Sequence, residues 1–252
     1  MIELKTAAEL EYMRQAGRVV AGLLAHLGRL LRPGMKTKTL DEEALAYLRK
    51  QGATPAFLGY KGFPASVCVS VNEEVVHGIP GERKIQEGDV VSIDAGAVVS
   101  GFYGDAATTL IVGDASSEAQ RLVTTTREAL DQGIAQTVVG NRISDISYAV
   151  QQRVERNGFG VVREFVGHGI GRALHEDPPI PNFGAPHLGP RLKVGMVLAI
   201  EPMVTLGSYE VEVLSDGWTA VTKDRSVAAH FEHTVAITER GPEVLTQLGV
   251  LT

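Results

Sequence analysis

The chain has 252 residues, 44% of them hydrophobic, and a formal net charge of −6, which is enough for one large domain with a sizeable core or two small ones. There is no basic run long enough for a nucleic-acid patch, no apolar run near the ~20 residues of a membrane span, and no internal disulfide, because Cys68 is the only cysteine. With no signal pattern at Met1-Ile2-Glu3-Leu4-Lys5, a cytoplasmic protein is expected that binds neither nucleic acid nor membrane.

Thr6-x-x-Glu9 reads as a capping box ahead of an amphipathic helix. Its stripe is Leu10, Met13, Val20, Leu23, Leu24, Leu27 and Leu31, and Pro33-Gly34 stops it. His26 in this helix reads as a packed or surface histidine. A second helix follows, with Thr39-x-x-Glu42 as its candidate box and Gly52 as its stop. Residues 57–72 form an aromatic, Gly/Pro-punctuated loop running into a strand, which ends near His77-Gly78-Ile79-Pro80.

Residues 90–112 then read as a hairpin, two β-rich runs around a small-residue centre. Each run carries one aspartate, Asp94 and Asp105, where an apolar residue is expected. A turn centred on Val99-Ser100 puts the two directly opposite each other, roughly 4.5–5.5 Å apart at Cβ. Two ionised carboxylates that close in an apolar setting repel, and a cation between them removes the conflict. The plainer alternative is two turn-forming aspartates.

Ser117-x-x-Gln120 opens a third helix to about Gly140, and Ser144 can cap a fourth to Asn157-Gly158. A strand over 160–166 leads into Gly167-His168-Gly169-Ile170-Gly171 and on to Leu174-His175. Residues 176–190 hold five prolines and read as a rigid loop that cannot join a sheet centre. Residues 194–204 read as a strand carrying Glu201, and 231–237 as a strand carrying Glu232, with an Asp216-Gly217 hairpin between them that leads into Trp218. Strand follows strand by hairpins, so the expected class is α+β with a largely antiparallel sheet in one domain over 1–252.

Asp94, Asp105, Glu201 and Glu232 thus each interrupt a run that otherwise reads as buried, and His168 sits in a glycine-flanked loop. Burying unpaired carboxylates costs several kcal/mol each, so the set calls for a common partner. An oxygen-rich set with one imidazole suits divalent manganese, iron or cobalt, with zinc also compatible, and it can hold two ions for hydrolytic chemistry. The glycines beside His168 would let the backbone approach the ions. Spacing alone does not place His77 or His175. His187, His230 and His233 read as structural.

Together, His77-Gly-Ile-Pro, Ile93-Asp94, Gly104-Asp105, Gly167-His168-Gly-Ile-Gly, His175-Glu, Ile200-Glu201-Pro202-Met203 and Phe231-Glu232-His233-Thr234 resemble the type I methionine aminopeptidases over almost the whole chain. The resemblance implies the pita-bread fold, a pseudo-twofold α+β domain with a central antiparallel sheet, helices outside and metals at the sheet centre. It implies that Asp94 chelates one ion, that His168 and Glu201 bind the other, and that Asp105 and Glu232 bridge the pair. A metal-held hydroxide would attack the carbonyl after methionine, with Glu201 as proton shuttle and His77 and His175 around the scissile amide.

The implied reaction is removal of the initiator methionine from nascent chains, at the ribosome, when the second residue is small. The implied enzyme is a cytoplasmic monomer. Its methionine pocket carries over as Tyr60, Phe63, Cys68 and Trp218, edged by Phe57 and Leu174. Phe63 stands where a tyrosine is common, Leu174 where an aromatic is common and Phe57 where a smaller residue is common, so the pocket shape departs from the family pattern. Asn72 matches a position near a monovalent cation. The spacing from Glu201 to Glu232 leaves no room for the helical subdomain of type II enzymes, and the short N-terminus none for a zinc-finger extension. The rival readings are a prolidase or aminopeptidase P, which usually carry an N-terminal domain, and a non-enzymatic binding module, which typically lacks metal ligands.

Overall fold

The computed structural model describes residues 1–247; residues 248–252 of the expected 1–252 domain lie outside them. Helices α1 (Ala7–Leu30) and α2 (Thr37–Lys50) come first, then strands β1 (Thr54–Pro55), β2 (Val67–Val71), β3 (Glu74–Val76), β4 (Val90–Val99) and β5 (Phe102–Ile111). Helices α3 (Ser117–Ala135) and α4 (Ile143–Glu155) follow. The remaining strands are β6 (Gly160–Val161), β7 (Gly167–Gly169), β8 (Glu176–Ile180), β9 (Val197–Ile200), β10 (Met203–Thr205), β11 (Val211–Val213), β12 (Ala220–Thr222), β13 (Ala228–His230), β14 (His233–Thr238) and β15 (Gly241–Val244).

The expected order of helices, strands, helices and strands holds, and every described strand pair is antiparallel. The first half builds a sheet in which β4 pairs with β1, β2 and β5; the second builds β15-β14-β9-β7-β8. Helix α1 begins at the expected box: Thr6 Oγ1 accepts from the Glu9 N–H, and Glu9 accepts from the Thr6 N–H. The expected boxes of the other helices are displaced. Helix α2 starts at Thr37 with no side-chain cap, and Ser116, not Ser117, caps α3.

Leu23, Leu27, Leu40 and Leu48 of α1 and α2 pack on Val69, Val91 and Ile93 of the first sheet. Leu122, Leu130, Ile146 and Val150 of α3 and α4 pack on Leu198, Ile200 and Val235 of the second. Each sheet therefore has helices on its outer face. Between the sheets lies a third apolar cluster, with Leu10, Met13, Phe63, Phe102, Ile170 and Ala199 among its residues. The sheets meet where β5 runs beside the start of β14: the Asp105 N–H donates to Thr234 Oγ1 at 3.0 Å, and the Thr234 hydroxyl donates back to the Asp105 carbonyl at 2.7 Å.

Three local expectations are corrected. The hairpin turns at Ser100-Gly101, both with positive φ (52° and 79°), so Asp94 stands opposite Ala107 and Asp105 opposite Gly96. The expected strands over 194–204 and 231–237 are both broken. Strand β9 pairs with β14 and β10 with β13, so the gaps at Glu201-Pro202 and Phe231-Glu232 face each other. Pro202 lacks the N–H a ladder needs, and its fixed φ turns the chain out of the β9 sheet into that of β10. Finally, the proline-rich run supplies β8, but only as an edge strand on β7, where proline is tolerated.

Candidate metal centre and active site

Asp94 and Asp105 project from one face of the β4–β5 hairpin, and Glu201 and Glu232 from the two facing breaks. His168 lies at the centre of β7, beside Ala199 of β9. Its Nδ1 is 2.9 Å from the Gly169 carbonyl, which accepts and so fixes the proton on Nδ1. Nε2 then presents its lone pair to the carboxylates, 3.5 Å from Glu201 Oε1 and 4.0 Å from Asp105 Oδ2. One ligand atom each from Asp105, His168 and Glu232 lie within 4.8 Å of one another.

The glycines beside His168 have a packing reason in the sheet itself. A Cβ at Gly167 would stand 2.4 Å from the Ala199 carbonyl oxygen, and one at Gly169 2.1 Å from that of Asp177. They let neighbouring strands close on β7.

The donor set fits divalent cations on an observation independent of the pattern. Asp94 Oδ1, Asp105 Oδ1 and Glu232 Oε1 are buried and have no hydrogen-bond partner. Orphaned buried oxygens of this kind demand an unseen partner. Burial pushes the Asp94 carboxyl up to about 7. Burial, then the Asp94 and Glu201 charges, pushes Asp105 well above the usual carboxylate range. Burial first and neighbouring carboxylates second do the same to Glu201 and Glu232. Without a cation these groups resist ionising; a divalent cation reverses that preference.

Above this carboxylate floor is a cavity of about 190 Å³, room for one side chain rather than a drug-sized ligand. Every site residue expected from the sequence lines it: the five ligands, His77, His175, and the apolar wall of Phe57, Tyr60, Phe63, Cys68, Leu174 and Trp218. Phe63 meets Trp218 edge to face with centroids 5.1 Å apart. His77 meets the Phe165 ring edge-on at 5.3 Å, and burial, then His175, lowers its pKa to about 4. His175 stacks on Tyr60 at 5.3 Å, and the Tyr60 hydroxyl is 2.7 Å from its Nδ1. Burial first, and then the charge of Lys61, lowers the His175 pKa. Both imidazoles are therefore neutral near pH 7.

Two residues at the site escape sequence reading. Lys61 also lines the cavity. His230, expected to be structural, has Nε2 3.8 Å from Glu201 Oε2, and neither ring nitrogen has a hydrogen-bond partner. Its position two residues before Glu232, in an apolar run, was the available signal. His187 and His233 do not line the cavity; they meet Asp145 at 3.0 Å and Thr246 at 2.9 Å. The Asn72 side chain donates to Asp89 and accepts from the Val90 N–H. Nothing in those bonds calls for a monovalent cation; that expectation rests on the resemblance alone.

Residues 11–239 match the profile of metallopeptidase family M24. The methionine aminopeptidase of Clostridium acetobutylicum is 51% identical over 247 residues, covering 98% of this chain and 99% of that protein. The crystal structure of methionine aminopeptidase from Thermotoga maritima superposes with a TM-score of 0.97 at 50% identity, covering 98% of this chain and 100% of that one. The prolidase from Pyrococcus furiosus shares the pita-bread fold at a TM-score of 0.80 but is only 22% identical, a likeness of fold alone, and this chain covers 66% of it. The chain belongs to metallopeptidase family M24 and, within it, to the methionine aminopeptidases.

Proposed function

We propose that this protein is a type I methionyl aminopeptidase, a metal-dependent hydrolase that removes the initiator methionine from nascent proteins and peptides when the second residue is small. The observation that carries the reading is a carboxylate-and-histidine floor meeting an apolar, aromatic wall in one cavity of about 190 Å³. The wall suits an unbranched thioether, and the floor suits the scissile carbonyl.

Asp94 would hold one divalent ion and His168 with Glu201 a second, with Asp105 and Glu232 shared between them. Manganese, iron, cobalt and zinc all suit these donors. Two such ions supply Lewis-acid polarisation of the carbonyl and activation of water at neutral pH. Glu201 takes a proton from the attacking water and returns it to the departing amine. His77 and His175, as neutral imidazoles, donate N–H bonds to the scissile amide and to the oxyanion that develops there. Tyr60 fixes the orientation of His175 through its Nδ1. Phe57 and Leu174 narrow the edge of the pocket.

We further propose that residues 1–252 act as one catalytic domain, as a cytoplasmic monomer, on chains emerging from the ribosome. Among the described residues no helix is long and apolar enough to cross a membrane.

The test is methionine release from Met-Ala-Ser by metal-stripped protein titrated with Mn²⁺ or Co²⁺, with Met-Leu-Ser and Ala-Pro peptides alongside. Metal-dependent release from Met-Ala-Ser, with Met-Leu-Ser nearly untouched, is expected. Preferential cleavage of Ala-Pro would make the protein a prolidase-type enzyme. No cleavage of any peptide would leave a metal-binding protein without this activity.

A further inference from the structure

Lys61 has no part in the chemistry above, yet it lines the same cavity. It is exposed, and among the described residues it makes no ion pair. Its Nζ lies 5.5 Å from the centroid of the Tyr60 ring. Tyr60 in turn reaches His175 through its hydroxyl. An unpaired cation therefore stands one aromatic ring away from a histidine that faces the scissile bond.

The loop holding it is tightly constrained. Gly59, Lys61 and Gly62 have φ of 83°, 48° and 91°, so a lysine occupies a left-handed position that glycine or asparagine would take with less strain. Such strain is often kept for a functional reason. The acidic residues that line the cavity are the four carboxylates of the floor. With methionine against the apolar wall and its carbonyl at the floor, the rest of the substrate leaves past the cavity rim. At about 3.3–3.6 Å per residue, the third residue lies about 7 Å beyond the scissile carbonyl.

We propose that Lys61 is a specificity-determining residue that favours substrates with an aspartate or glutamate at the third or fourth position. The proposal rests on the aminopeptidase reading above. A carboxylate there meets one free cation in solvent, so the preference is modest and salt-sensitive: about two- to fivefold in kcat/KM at low ionic strength.

The test compares Met-Ala-Gln-Ser, Met-Ala-Glu-Ser and Met-Ala-Lys-Ser, and the same series varied at the fourth position, with metal-loaded wild type, Lys61→Gln and Lys61→Glu. The expected order for wild type is Glu over Gln over Lys, collapsing toward equality in high salt. Lys61→Gln should abolish the order and Lys61→Glu should invert it. Equal ratios in all three proteins, or an acidic preference that survives Lys61→Glu, would overturn the proposal. The Gln series separates the two readings. If wild type does not release methionine from it, the aminopeptidase assignment fails; if it does and charge makes no difference, only the role of Lys61 fails.

Discussion

Asp94 and Asp105 are diagonal neighbours on one face of the hairpin, because Asp94 pairs with Ala107 and Asp105 with Gly96. The turn at Ser100-Gly101 sets this register. A shift of two residues leaves both side chains on the same face, whereas a shift of one would have sent Asp105 to the other. Diagonal neighbours stand roughly 7–8 Å apart, within reach of one cation held between the two carboxylates.

Replacing either aspartate should therefore separate stability from function. Asp105→Asn removes a carboxyl that burial, then the Asp94 and Glu201 charges, force to take up a proton on folding. The metal-free variant should be more stable than metal-free wild type at pH 8, by about 1–3 kcal/mol, yet gain little on adding Mn²⁺ and lose activity. Asp94→Ala should lower metal occupancy and activity together. Thermal unfolding with and without Mn²⁺, beside metal analysis, checks both; a variant that keeps full occupancy is not missing a ligand.

The metal-free protein should lose stability as pH rises above neutrality. The Asp94 carboxyl goes from an ordinary 3.8 to about 7 in the folded chain. That contribution is complete below about pH 4 and is lost as pH rises through 7. In the opposite sense, His77 and His168, lowered to about 4, and His230, lowered to about 3, remove stability as pH falls below 6.5. Between pH 6.5 and 8.5 the carboxylates decide, with a loss of about 1 kcal/mol from Asp94 alone. Urea unfolding at the two pH values in chelator measures it. Divalent metal should abolish the loss, because ionised carboxylates are the form that binds. A metal-free protein equally stable at both values would contradict the burial argument.

His77→Ala should keep its metals and lose kcat, by about 10²–10³-fold if it supports the oxyanion. Tyr60→Phe deletes the hydroxyl 2.7 Å from His175 Nδ1 without changing the apolar wall. Its expected loss is about tenfold in kcat, with metal content unchanged. Steady-state kinetics on Met-Ala-Ser reads both, and an unchanged kcat would remove the residue concerned from the reaction.

Lys5 and Glu176 form a part-buried ion pair, with side chains 4% and 13% exposed. The same carboxylate accepts the N–H groups of Arg172 at 2.8 Å and Ala173 at 3.2 Å, tying down the loop that carries Leu174 and His175. Lys5→Met leaves that carboxylate without its countercharge, at a cost of about 3 kcal/mol. A fall in kcat with metals retained should accompany the loss in denaturant unfolding, because His175 is the next residue along. Normal kcat in a destabilised variant would show the pair to be structural only.

The sequence by itself determined a great deal here. Thr6 and Glu9 mark the start of the first helix, and two β-rich runs around a small-residue centre mark the hairpin at residues 90–112. The intrusion of Asp94, Asp105, Glu201 and Glu232 into apolar runs identifies groups that need a partner, because charge in an apolar run has a cost that local structure cannot repay. What the tertiary structure decided is relative placement. The aspartate register depends on turn dihedrals at Ser100-Gly101. The facing breaks at Glu201 and Glu232 depend on two strands, far apart in sequence, changing sheet at one level. Lys61 carries no local signal, and His230 only its place in an apolar run two residues before Glu232; both reach the site because strands and loops distant in sequence pack together. Local propensity and burial are written residue by residue, whereas the distance between two side chains on different strands is set only once the sheets have packed.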